Sequence, residues 1–156
     1  MNLRPRILGL DLGDSRTGVA LSDPLGTAQP LLTMGLSTDK VRVKNIARLV
    51  RRYDVVAVVA GNPLHMSGDI SSQAAKVQAF AATLQDALQI PVYLQDERLS
   101  STAAHELMDR LGFPRGPDRK VKLDQYAAVV ILQDWLDDQD RVATASRLEK
   151  TEPRSL

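Results

Sequence analysis

Apolar and polar positions along this chain follow two different periods, and the switches between them mark out its elements. Ile7 to Asp11 is a short apolar run of strand length, Gly13 to Thr17 carries turn residues, and Gly18 to Ser22 is a second short strand, together a hairpin signal. Pro24 and Gly26 interrupt the pattern before another extended run around Leu31 to Leu36. From Lys40 to Tyr53 the period changes: Val43, Ile46, Ala47 and Val50 recur at helical spacing, and Val55 to Ala60 follows as a continuous apolar run, a buried strand. After a loop over Gly61 to Asp69, Ala74, Val77, Ala81, Leu84 and Leu88 mark one face of a long helix that ends before Pro91. Val92 to Gln95 reads as a strand, Ser100 to Leu111 as a helix, and Gly112 to Val121 as a loop. Leu123 to Leu136 is a last helix, apolar nearly all round from Tyr126 to Leu132 and therefore expected to be buried.

Three strands, then helix, strand, helix, strand and two helices predict an α/β layered domain. Its mixed five-stranded sheet begins with three antiparallel strands and continues with parallel ones joined by right-handed crossovers, flanked by helices. In such sheets ligands gather at the carboxyl ends of the strands. With 156 residues and 44% hydrophobic content, the chain suits one compact domain. Residues 1–138 are expected to form it, and the polar residues 139–156 to be a frayed tail. No run approaches the roughly 20 apolar residues of a membrane span, and the absence of cysteine fits a reducing compartment, so a cytoplasmic location and no membrane partner are expected.

The net charge of +1 does not by itself point to a polyanionic partner. Its distribution is uneven. Lys40, Arg42, Lys44, Arg48, Arg51 and Arg52 occur with no acidic residue between them, which reads first as a solvated helix face. Residues 98–122 carry six basic against three acidic residues, here around an expected loop.

Carboxylates mark the strand ends. Asp11 closes the first strand, Asp96 and Glu97 close the last, and Asp124 opens the final helix. In-line cleavage of a phosphodiester needs an activated water and a stabilised leaving oxygen, which two hard cations held by oxygen ligands can supply. Each acid also has a structural alternative: Asp11 as a turn cap, Asp124 as a helix N-cap, and Asp96 and Glu97 as surface ion pairs with Arg98. Side chains alternate along a strand, so Asp96 and Glu97 cannot both face one way if the strand continues through them.

Four segments carry a resemblance. ILGLDLGDSRTGVALS at Ile7 to Ser22 resembles the opening motif of the YqgF (RuvX) family. GNPLHMSG at Gly61 to Gly68 is similar to its glycine-proline loop, DERLSST at Asp96 to Thr102 to its acidic-arginine motif, and VKLDQYAAVVIL at Val121 to Leu132 to its closing aspartate and helix. The resemblance implies an RNase H-like fold related to Holliday-junction resolvases. It also implies a divalent-metal-dependent nuclease using Mg2+ or Mn2+ on structured nucleic acid, foremost the 5′ end of precursor 16S ribosomal RNA. By position, Asp11, Glu97 and Asp124 are the implied catalytic metal ligands, with Asp96 the alternate for Glu97. Asn62, His65 and Ser67 depart from the usual leucine, asparagine and aspartate of the loop motif. The implied sheet order separates the first and last strands by two positions, roughly 10 Å, a gap the longer Glu97 spans better than Asp96.

Arg16, Arg98, Arg115, Arg119, Lys120 and Lys122 are the candidate phosphate contacts, positioning the backbone without reading sequence. Arg98 could instead pair with Asp96. Aromatic content is 4%, so shape and backbone charge outrank base stacking, as for structured RNA or branched or single-stranded DNA. His65 and His105 have no partner at metal-ligand spacing, although His65 could touch substrate. Ribosomal precursor particles are the expected larger partner, and the chain is expected to be a monomer or a weak homodimer. Three other readings stay open: a Holliday-junction or other DNA-processing nuclease; a nucleotide-binding module, because DLGDSRTGVAL also resembles the phosphate loop of actin-like ATPases; and a non-catalytic binder of ribosome precursors.

Overall fold

A computed structural model describes residues 3–35, 37–63, 71–97 and 100–151. The elements are β1 (Arg6–Leu12), β2 (Thr17–Ser22), β3 (Ala28–Met34), α1 (Asp39–Arg52), β4 (Val55–Asn62), α2 (Ser72–Leu88), β5 (Val92–Asp96), α3 (Ser100–Arg110) and α4 (Pro117–Thr151). One five-stranded sheet has the order β3-β2-β1-β4-β5. Its first three strands pair antiparallel, and β1–β4 and β4–β5 pair parallel. The expected mixed sheet is therefore present, with β1 at its centre and β5 two positions away.

Strand alternation divides the core. Leu8, Leu10, Val19, Val58 and Ala60 pack under α1 and α2 with Ile46, Val77, Phe80 and Leu84. On the other face Ile7, Ala20, Ala57 and Val59 pack under α4 against Ala128, Val129, Ile131 and Leu132. Capping explains where the first two helices begin: Thr38 Oγ1 accepts from the N–H of Val41, and Ser71 Oγ from that of Ala74.

The last helix departs from expectation at both ends. It starts at Pro117 rather than Leu123, because proline at the first helical position gives up only an amide that has no intrahelical partner, and Asp118 suits the positive end of the helix. Gly116, at φ +153°, makes the turn into it. Asp124 thus lies about two turns inside the helix and is no N-cap. Beyond residue 138, where fraying was expected, helix continues to Thr151. Ion pairs on this extension join Arg141 to Asp138, and Asp140 to Arg4 at 3.0 Å.

Candidate active site

Asp11 lies near the end of β1 on the α4 face, in phase with Ile7 and Gly9. Its neighbours in the sheet have no side chains. Gly18 pairs with Asp11 across β2, and Gly61 follows Ala60, the β4 partner of Leu10. Both glycines are required by close approach. A Cβ at Gly18 would stand 1.9 Å from the carbonyl oxygen of Asp124, so α4 presses directly on β2 there. A Cβ at Gly61 would stand 2.6 Å from Glu97 Oε2 and 2.6 Å from Ile131 Cδ1.

That second contact shows how the two-strand gap is crossed. Glu97 follows β5 and its N–H donates to the carbonyl oxygen of Asn62 at 3.2 Å, extending the β4–β5 ladder by one residue. In phase with Tyr93, which stacks on Trp135 of α4, and Gln95, which donates to Asp138 of α4, Glu97 turns to the α4 face. It then reaches over the bare backbone of Gly61 and forms a hydrogen bond with Asp11. Asp96 has the opposite phase and is exposed. Glu97, rather than its alternate, therefore joins the cluster.

Two carboxyl groups can hydrogen-bond only if one is protonated. Burial, followed by the charge of Asp124, pushes Asp11 up to about 6 despite the hydrogen bond from Glu97. Burial, then the charge of Asp11 and the hydrogen bond to it, pushes Glu97 up to about 8. Like charges taken out of water together raise both groups. Ser100 Oγ donates to Glu97 Oε2 at 3.3 Å and partly offsets the rise.

Asp124 completes the cluster from α4. Arg16 Nε stands 2.8 Å from Asp124 Oδ2, which is buried and receives no aligned hydrogen bond. The pair is a charge contact at the mouth of the site, with the Arg16 side chain half exposed. Among the described residues no three acidic or histidine side chains already stand in metal-ligating array. The donor set nevertheless fits a hard cation: three carboxylates from β1, the end of β5 and α4, and one buried oxygen of Asp124 with no hydrogen-bond donor among the described residues and Arg16 beside it.

The basic candidates do not behave as a group. Arg119 is buried, 5% exposed, and is used internally. It donates to the carbonyl oxygens of Phe113, Pro114 and His105 and pairs with Asp109 at 2.8 Å, so it ties the α3–α4 turn together and does not face substrate. Arg115 also pairs with Asp109, at 2.9 Å, but its side chain is largely exposed. Lys120 is exposed, and Lys122 lies over the Phe113 ring at 5.4 Å. Arg98 and His65 lie outside the described residues. The turn after β1 is closed by Gly13, whose N–H donates to the carbonyl oxygen of Arg16 at 2.9 Å.

The sequence profile of the RuvX family, described as Holliday junction resolvase, matches residues 5–138. The chain belongs to the RuvX family. Membership makes it a hydrolase of phosphodiester bonds in nucleic acid. A relative from Roseiflexus sp. (strain RS-1) is 43% identical over 135 residues, covering 86% of this chain and 95% of its own. One from Syntrophus aciditrophicus (strain SB) is 47% identical over 133 residues, covering 85% and 88%. Both carry the provisional name pre-16S rRNA nuclease. Among solved structures, Thermus thermophilus RuvC in complex with a Holliday junction substrate matches with a TM-score of 0.53 at 16% identity, covering 87% of this chain and 96% of that one. Fowlpox virus resolvase with Holliday junction DNA matches with a TM-score of 0.54 at 13% identity, covering 86% and 98%. These likenesses show the RNase H-like fold.

In this RuvX chain, Gly18, Gly61 and Ser100 are the site residues that sequence reasoning passed over. Gly18, Gly61 and Ser100 all fall inside the segments that carry the family resemblance, and each acts by letting a carboxylate in or holding it.

Proposed function

We propose that the cluster of Asp11, Glu97 and Asp124 hydrolyses phosphodiester bonds in structured RNA, the 5′ end of precursor 16S ribosomal RNA being the natural target. The convergence of Glu97, reaching over Gly61, on Asp11 with Asp124 beside them is the observation that carries this reading. Such a site binds a dication by giving up the proton. Mg2+ or Mn2+ held there would make a water nucleophilic at neutral pH and neutralise the leaving oxygen. The residues do the rest: Glu97, steered by Ser100 and Gly61, and Asp11, rigid in β1, set the position of the reacting phosphate. Arg16 neutralises Asp124 until substrate arrives and then contacts the phosphate beside the scissile one. Arg115, Lys120 and Lys122, with Arg98, hold the flanking backbone. The protein works in the cytoplasm on ribosomal precursor particles, as a monomer on RNA.

A second reading is favoured by the family description and by the resolvase fold: cleavage of a four-way DNA junction, which calls for a weak homodimer with two sites. The test is cleavage of labelled precursor RNA, a four-way junction and single-stranded DNA, with Mg2+ or Mn2+, by the native chain and by Asp11→Asn. Cleavage of precursor RNA by the native chain alone is expected. Junction cleavage with intact RNA supports the second reading, and equal activity in Asp11→Asn contradicts both.

A further inference from the structure

The basic residues of α1 remain unused by the acidic site. Lys40, Lys44, Arg48 and Arg51 lie at i, i+4, i+8 and i+11, one stripe of the helix, and all are exposed. Among the described residues, the ion pair on α1 is Arg42 to Asp39, and none joins the stripe. Stability alone does not account for this arrangement. Like charges at i,i+4 destabilise a helix by about 0.2–0.5 kcal/mol per pair, and Lys40 stands in the first turn, where the helix dipole disfavours a cation. Only Arg51, in the last turn, has a favourable end effect.

The stripe is also placed with respect to the site. α1 runs back to feed β4, so its first turn lies at the carboxyl ends of the strands. There Asp39 and Arg42 line a cleft of about 360 Å3 together with Gly13, Asp14 and Lys76. Gly13 and Asp14 belong to the turn between Asp11 and Arg16. The stripe lines no part of that cleft: it starts at Lys40, next to Asp39 in sequence but on the solvent side of the helix, and runs back for about 17 Å, the rise of eleven helical residues. This matches about five base-pair steps of one duplex strand at about 3.4 Å each.

We infer that the exposed face of α1 is a second phosphate-backbone surface, which grips a double-helical arm of the substrate on the side of the sheet opposite α4. It meets backbone charge and not bases, so RNA and DNA arms are both candidates, the spacing above being that of a DNA duplex. The inference rests on the nuclease reading for its purpose, though its test does not.

The experiment compares the native chain with Lys40→Gln/Lys44→Gln/Arg48→Gln/Arg51→Gln. Fluorescence anisotropy follows a 20-base-pair RNA duplex, a four-way DNA junction and a single-stranded hexanucleotide across a KCl series. Each lost phosphate contact lowers the log–log salt slope by about 0.9, so the slope for duplex and junction should fall by about 3 to 4, with binding at least about tenfold weaker at low salt. Hexanucleotide binding should not change. An isocharge control, with Arg4, Arg110, Arg141 and Arg147 changed to Gln, should keep the native slope. Should the fourfold variant not fold, Lys40→Gln/Lys44→Gln should lower the slope by about 2. An unchanged slope, or an equal fall in the isocharge control, overturns the inference. An RNA-only or a DNA-only loss identifies the arm that is gripped. Loss of duplex binding in a protein whose native form cleaves nothing supports the surface and rejects the nuclease.

Discussion

At the residue scale, the shared proton gives the site a pH signature that can be read without substrate. A carboxyl raised above its ordinary value binds its proton more tightly in the folded state than in the unfolded one. Its contribution to stability is therefore fully present below the unfolded value and is lost as pH rises through the folded values, about 6 for Asp11 and about 8 for Glu97. The melting temperature of the metal-free protein should fall between pH 5 and pH 8.5. Asp11→Asn, which removes one of the crowded charges, should flatten that fall and melt about 3–6 °C above native at pH 8. Calorimetry across the range checks it, and a native melting temperature that rises toward pH 8.5 would count against a shared proton. Arg119 obeys a different rule, because its guanidinium satisfies three backbone carbonyls as well as Asp109. Arg119→Met should cost about 2–4 kcal/mol by denaturant unfolding and leave the salt slope of nucleic-acid binding unchanged. A lowered slope with native stability would return Arg119 to the substrate.

At the scale of elements, the site exists because β4 is bare where β5 must reach across it. Gly61→Ala places a methyl 2.6 Å from Glu97 Oε2. Cleavage should drop at least about tenfold, while overpacking against Ile131 costs about 1–3 kcal/mol and lowers melting by about 3–10 °C. Full activity in this variant would mean that Glu97 need not enter the site over β4. The strands, the first three helices and their order were legible in periodicity, because half-buried strands and amphipathic helices have different repeats. Asp11 was legible because it interrupts an apolar strand, and the choice of Glu97 over Asp96 was foreshadowed by alternation and reach. The start of α4 was not: Gly116-Pro117 has the look of a loop, yet proline is at home in the first turn of a helix. The burial of Arg119 was equally hidden, since nothing in a run of basic residues says which one the turn before α4 encloses. Gly18 and Gly61 drew no notice because their role depends on a neighbour far away in sequence.

On the scale of the whole molecule, a net charge of +1 conceals a division of labour. Acids from β1, the end of β5 and α4 meet near the carboxyl ends of the strands, while exposed cations run along α1 on the other side of the sheet. Placing the stripe away from the acids lets the protein hold a polyanion while Arg16, alone among the described basic residues, pairs with a carboxylate of the reaction centre. The most direct test of this account separates two adjacent carboxylates that differ only in which face of the sheet they meet. In a Mg2+- or Mn2+-dependent cleavage assay on labelled precursor RNA, Glu97→Gln should lose at least about a hundredfold in rate, about 3 kcal/mol of transition-state stabilisation. Asp96→Asn should stay within a few fold of native. Equal losses in the two variants, or the reverse order, would contradict the site described for this chain.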